Sequence, residues 1–257
     1  MTRRRWARGE LLLLLLGLAA IGVLAFTLTK ASLSSGSSDR ARGSNVKPRT
    51  VVEASHNDQE LAALTGSHEV FAAPGEHPVH RIGATRPITG EQTVLPVLRT
   101  ATHRGVEWLQ VRLPGRPNGL TGWIAPSAVK LEYTPWRIVV RIAQRRVYVY
   151  HAGHLARDFR AVVGAPATPT PKGQFFVEES VIEPPSAVGH PYALALSARS
   201  NVFQEFAGGP GQIAIHGLDN VGGTPGTAES HGCIRLDTSD ITWLARRIEP
   251  GVPVAID

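Results

Sequence analysis

The chain has 257 residues, 42% of them hydrophobic and 19% charged, with 26 Gly, 19 Pro, one cysteine and a formal net charge of +6. That balance excludes a disordered chain, disfavours a helical bundle and suits turn-rich β structure, while a single cysteine excludes a disulfide within the chain. Residues 1–66 carry nine Lys/Arg against five Asp/Glu, whereas 135–257 carry eleven of each, so the excess flanks the N-terminal segments and no nucleic-acid-binding face is indicated.

In chain order, Arg3, Arg4, Arg5 and Arg8 precede an uncharged run, "LLLLLLGLAAIGVLAFTL". Its roughly 18 residues span about 27 Å as a helix, close to a bilayer core. Basic residues on one flank predict a cytoplasmic stub and a single-pass anchor over 1–30, with the rest of the chain on the outer side of the plasma membrane. A cleaved signal peptide is the alternative. With no cysteine directly after the run, a lipoprotein anchor is excluded. Residues 31–66 read as a flexible, Ser/Gly-rich linker, with a short helix around "NDQELAAL" capped by Asn57.

Residues 67–132 predict a small all-β domain. "HEVFAAP", "TVLPVLRT", "EWLQVRLP" and "TGWIAPSAV" mix β-branched and aromatic residues between turns, and Asn118-Gly119 marks a hairpin. The stretch "EWLQVRLPGRPNGLTGWI" resembles bacterial SH3-like domains. Trp108 and Trp123 either pack a core or line an aromatic groove for a wall peptide or partner.

Residues 135–257 predict a mainly β unit with one helix. Strand-like runs "WRIVVRI", "RRVYVYH", "RDFRAVVG", "GQFFVEES", "ALAL" and "QIAI" lead to "DTSDITWLARRIEPG". There Asp237 is placed to cap a helix whose Ile241, Leu244, Ala245 and Ile248 form one stripe, with Arg246 and Arg247 in its last turn. "VPVAID" ends the chain as a strand.

Cys233, in "SHGCIRL", and His216, in "QIAIHG", carry the chemistry. A thiol is nucleophilic as thiolate, and histidine moves protons near neutral pH. Gly232 permits a tight backbone whose N–H groups could face a developing oxyanion. The Gly-rich connection from 218 to 230 reads as an open loop beside a cleft. Zinc is disfavoured, because His216, His231 and Cys233 present three ligands with no pair motif to complete a site.

These residues resemble the signature of the L,D-transpeptidase catalytic domain, or YkuD domain: His-Gly, a loop, then Ser/Thr-His-Gly-Cys, an aliphatic residue and Asn or Arg. "VVGAPATPTPKGQFFV" is similar to a second stretch of the family. The resemblance covers about 136–257 and implies a YkuD-type β-sandwich. It implies an exported bacterial enzyme acting on peptidoglycan stem peptides without cofactor or metal. Cys233 would attack the carbonyl of the third stem residue, release D-alanine and pass the acyl group to a neighbouring amine as a 3→3 cross-link. His216 would be the base, oriented by the Gly217 carbonyl. N–H groups around Gly232 and Cys233 would receive the oxyanion, with His231 and Ser230 shaping the site. Arg235, where many members have Asn, would hold a substrate carboxylate. Hydrolysis of the acyl-enzyme, an L,D-carboxypeptidase activity, and a non-catalytic wall-binding protein are the alternatives. The block 135–257 is expected to be acylated without residues 1–66, with 67–132 affecting mainly its positioning or folding.

Overall fold

The computed structural model describes residues 58–206 and 209–257. The expected anchor or signal segment over 1–30, and most of the expected linker, lie outside these residues. Among the described residues no helix is long and apolar enough to cross a membrane.

The first sheet is built from β1 (Gln59–Leu64), β2 (His68–Phe71), β3 (Pro78–Ile82), β4 (Val94–His103), β5 (Val106–Arg112), β6 (Thr121–Ile124) and β7 (Val129–Thr134). They lie in the order β3-β2-β6-β5-β4-β1-β7. The helix expected around "NDQELAAL" is absent, and its residues form β1. A short apolar run reads as either element, and here pairing decides: β1 lies antiparallel between β4 and β7, with Leu61, Ala62, Ala63 and Leu64 all buried. The expected linker therefore gives way to sheet by residue 59. Val70, Leu95, Val111 and Ile124 form the core of this sheet. Trp123 is buried beneath the Arg99 guanidinium, 5.2 Å from the ring centroid. Trp108 stands edge-on to Phe71 at 5.0 Å.

Pro135 alone separates β7 from β8 (Trp136–Arg141). There follow β9 (Arg146–His151), β10 (His154–Arg160), β11 (Val163–Gly164), β12 (Gly173–Ile182), β13 (Tyr192–Arg199), β14 (Gln212–Gly217), β15 (Ala228–Ser230), β16 (Ile234–Leu236), α1 (Thr238–Ala245) and β17 (Pro253–Ile256). Eight of these strands run β10-β9-β8-β17-β12-β13-β14-β16, and β11 pairs β15 separately. From residue 135 on the fold is mainly β with one helix, as the sequence predicts for that stretch. Asp237 occupies the N-cap without a side-chain cap bond. The helix stops at Ala245, so Arg246 is its C-cap rather than part of its last turn. Ile241, Leu244 and, just beyond the helix, Ile248 pack against Leu194, Leu196 and Ile215 in one core.

β12 joins the two halves. Its first residues, Gly173–Phe176, pair with β17, and Val177–Ile182 pair with β13 across a register shift between Val177 and Glu179. A bulge re-aims side chains, and here two consecutive carboxylates, Glu178 and Glu179, are buried. Glu178 pairs with Arg86 of the first sheet's long β3–β4 connection, and with Arg199 at 2.8 Å. Glu179 accepts the backbone N–H groups of Ile88 and Thr89 at 3.1 and 2.9 Å. Phe176 sits in the core of the first sheet.

Candidate active site

β14 and β16 are parallel neighbours, with Ile215 opposite Ile234, His216 opposite Arg235 and Gly217 opposite Leu236. Side chains alternate along a strand. Ile213, Ile215, Ile234 and Leu236 point into the core. Ala214, His216 and Arg235 therefore share the other face, and Cys233, one residue before β16, continues it beside Ala214. The strand register thus brings the two residues singled out by sequence, Cys233 and His216, onto one face of adjacent strands. Cys233 stands beside Ala214, and His216 lies two residues further along the neighbouring strand.

His216 is buried, and its Nδ1 lies 2.8 Å from the Gly217 carbonyl oxygen. A carbonyl can only accept, so Nδ1 carries the proton and Nε2 is left as the basic nitrogen. Burial pulls the imidazole down to about 4; the bond to Gly217 opposes this and the Arg235 charge adds to it. The ring is therefore neutral at neutral pH. Cys233 is partly buried. Burial pushes its thiol up, while a hydrogen bond from the Ala214 backbone and the Arg235 charge pull it down. At rest both the thiol and the imidazole are therefore neutral. That arrangement favours proton transfer during attack over a preformed thiolate.

The turn before the cysteine is held from within. Gly232 has φ +118, a conformation that side chains rarely adopt. Ser230 Oγ donates to the Cys233 carbonyl at 2.6 Å and accepts the Gly232 N–H at 3.1 Å. Ser230 is therefore a buried brace. The Gly232 N–H, one of the donors expected for an oxyanion, is engaged inside the loop.

A second brace comes from the "TPTPKG" segment. Thr170 Oγ1 donates to the Gly232 carbonyl at 2.9 Å and accepts the Gly164 N–H at 2.8 Å. Thr168 Oγ1 donates to the Ser230 carbonyl at 2.9 Å. The family resemblance flagged this segment without a role, and the structure supplies one.

Arg235 is buried, with Nη1 donating to the Gly222 carbonyl at 3.2 Å and no partner for Nε. Its backbone exchanges both hydrogen bonds with Val162. His231, by contrast, is exposed, with its ring centroid 6.0 Å from Phe203 and 5.9 Å from Phe206. Those rings, with Ser200, Gly211, Gln212, Ile213, His231 and Cys233, line a small cavity at the sulfur. A larger cavity of about 540 Å³ lies elsewhere, at the seam lined by Tyr133, Trp136 and Glu249, and contains none of the candidate site residues. Among the described residues no group of His, Cys, Asp and Glu is arranged to hold a metal ion.

Sequence reasoning missed Gly189, Phe203 and Phe206. Gly189, φ +88, lies on the imidazole of His216. All three sit in irregular segments brought to the site by neighbouring strands, and no local motif marks them.

Residues 135–256 match the family model of YkuD, the L,D-transpeptidase catalytic domain. The match spans the eight-stranded sheet, the helix and every candidate site residue. A Bacillus licheniformis protein named after the L,D-transpeptidase YkuD is 29% identical over 133 residues, covering 52% of this chain and 72% of that one. Among solved structures, an L,D-transpeptidase from Mycobacterium smegmatis is 17% identical with a TM-score of 0.37, over 63% of this chain and 99% of that one. The catalytic domain of an Enterococcus faecium L,D-transpeptidase is 23% identical with a TM-score of 0.35, over 48% and 96%. L,D-transpeptidase 3 from Mycobacterium tuberculosis, bearing a faropenem-derived adduct, is 16% identical with a TM-score of 0.41, over 64% and 91%.

Proposed function

We propose that this chain, whose residues 135–256 match the L,D-transpeptidase catalytic domain, is a cysteine-dependent acyltransferase that cross-links peptidoglycan stem peptides. The observation that carries the reading is the shared outward face of Cys233 and His216, with His216 Nδ1 held on the Gly217 carbonyl so that Nε2 is the nitrogen able to take a proton.

The proposed steps are those that the resemblance implies, placed on these residues. The Cys233 thiol gives its proton to His216 Nε2 as the sulfur attacks the carbonyl carbon of the third stem residue. The tetrahedral intermediate collapses, the amine of the departing D-amino acid takes the proton from His216, and a thioester remains. An acceptor amine then gives a proton to His216 and attacks the thioester, forming the 3→3 amide bond and restoring the thiol. With the Gly232 N–H held by Ser230, the Cys233 N–H is the donor from the expected pair that remains for the oxyanion. Arg235 is the residue that the resemblance assigns to a substrate carboxylate, and its buried Nε has no partner within the protein. The chemistry requires neither metal nor cofactor.

Water in place of the acceptor amine turns the same intermediate into an L,D-carboxypeptidase product. A non-catalytic wall-binding role leaves the paired thiol and imidazole without a purpose. The first sheet is proposed as an SH3-like module and residues 1–30 as a single-pass plasma-membrane anchor that leaves the catalytic half on the wall side. Protease added to intact cells then digests the chain beyond residue 30 and spares the N-terminus.

Incubation with purified muropeptides, followed by mass spectrometry, tests the assignment. The expected products are cross-linked dimers with an acyl adduct on Cys233, and neither forms with Cys233→Ser. Trimmed monomers alone assign the hydrolase, and dimers formed by Cys233→Ser overturn the nucleophile.

A further inference from the structure

The cavity at Cys233 has a wall whose shape is set from outside the catalytic half. Phe203 and Phe206, 5.6 Å apart, belong to the segment joining β13 to β14. The base of that segment is drawn together by one guanidinium of the first sheet, on the hairpin between β5 and β6. Arg116 Nη2 donates to the carbonyls of Ser200 and Phe203, each at 2.8 Å, and Nη1 donates to Pro210 at 2.7 Å.

Two residues on, Asn118 Nδ2 donates to the Arg199 carbonyl at 2.8 Å, and its Oδ1 accepts the Arg199 N–H at 2.8 Å. Both arms of the amide thus engage Arg199, the residue that ends β13, and Nδ2 also donates to Asn201 Oδ1 at 3.2 Å. The fit is close: a Cβ on Gly211 would collide with the Phe203 carbonyl and stand 3.1 Å from Arg116 Nη2. Arg199 itself runs inward to Glu178, where Arg86 and Gln212 also converge. The segment carrying the aromatic wall is therefore held at both ends by the first sheet, by Arg116 and Asn118 on its backbone and by Arg86 through Glu178.

We propose that Arg116, with Asn118, is a positioning residue for acyl-donor binding: the hairpin of the N-terminal sheet holds Phe203, and with it the aromatic wall beside His231, in register with Cys233. The inference rests on the acyl-transfer reading of Cys233. Arg116 touches no reacting atom. Its guanidinium satisfies three carbonyls that point in different directions, a geometry that a point-charge ammonium reproduces only in part. Removing it frees the base of the wall, and displacement of a binding wall by about 1 Å is enough to weaken productive binding substantially.

The full chain and its Arg116→Ala, Arg116→Lys and Asn118→Ala variants are treated with a carbapenem at graded concentrations, and the Cys233 adduct is followed by intact mass. Arg116→Ala is expected to raise the concentration for half-maximal acylation by about tenfold, with the limiting rate and Cys233 alkylation by iodoacetamide near wild type. Arg116→Lys recovers part of the loss, and Asn118→Ala shifts binding the same way. If Arg116→Ala fails to fold, Asn118→Ala decides. Wild-type half-saturation in the folded variants overturns the proposal, as does a loss confined to the limiting rate or matched by lost alkylation. A wild type that is alkylated but takes no carbapenem sinks the acyl-transfer reading instead. Hydrogen exchange at 200–206 then decides the positioning role: faster exchange in Arg116→Ala upholds it and unchanged exchange overturns it.

Discussion

Gly189 lies flat against the imidazole of His216, so close that a Cβ at position 189 would stand 2.5 Å from Nδ1. The Gly189 carbonyl accepts the Gly217 N–H at 2.9 Å, which holds the 183–191 segment over the ring. Gly189→Ala must therefore move either the ring or the segment, and the φ of +88 adds about 1–2 kcal/mol of backbone strain. The expected outcome is a drop of about 10²-fold in the acylation rate of Cys233, with the thermal midpoint lowered by a few degrees. A variant acylated at the wild-type rate shows that the ring tolerates displacement and that Nδ1 is not fixed as described.

Protonation of His216 couples acidity to stability. Its pKa is about 4 when folded, against the ordinary 6.5. Between those values the unfolded chain holds a proton that the folded chain does not, so stability rises with pH across that window. The contribution is whole above pH 6.5 and falls as pH drops toward 4, by about 3 kcal/mol in all. Urea midpoints measured from pH 4 to 7 should fall more steeply for the wild type than for His216→Gln. Parallel curves would place the titration elsewhere. In the same window the acylation rate should keep its value down to about pH 5, because the base stays neutral there.

Thr170 ties the turn before the cysteine to the strand at Gly164. Thr170→Val keeps the shape of the side chain and removes both hydrogen bonds, leaving the Gly232 carbonyl without this donor. The expected cost is about 1–3 kcal/mol, together with slower acylation as the turn loosens. Chemical denaturation and the adduct rate measured on one preparation check both. An unchanged rate in a destabilised protein makes Thr170 a brace for the fold alone.

The isolated block 135–257 contains the whole catalytic signature, yet the structure predicts that it is a poor fragment. Cutting it free exposes Phe176 and strips Glu178 and Glu179 of Arg86 and of the Ile88 and Thr89 N–H groups. Breaking one buried ion pair costs about 3–5 kcal/mol, and loss of the aromatic burial adds to it. The fragment is expected to melt well below the full chain or to aggregate. Phe176→Ser with Glu178→Gln and Glu179→Gln in the fragment should recover solubility. A fragment that matches the full chain in midpoint overturns this and restores the independence suggested by its neutral charge and complete motif.

The sequence alone determined the β class, the helix over Thr238–Ala245 and the residues from which the site is proposed. Alternation in "QIAI" and the glycines before Cys233 are local signals, and a lone cysteine directly after the second of two His-Gly pairs is a short-range pattern of high specificity. Where reading failed, the deciding forces came from far along the chain. "QELAAL" is a strand because β4 and β7 pair with both of its edges, which propensity within six residues does not register. Which nitrogen of His216 is basic was decided by a backbone carbonyl placed by the fold. Gly189, Thr170 and Arg116 reach the site from segments 44, 63 and 117 residues before Cys233, and Glu178 meets Arg86 across 92 residues. Such contacts leave no periodicity. The last of them exists because a bulge in β12 accompanies the burial of two consecutive carboxylates, and only tertiary structure supplies the cation and N–H groups that burial of those charges demands.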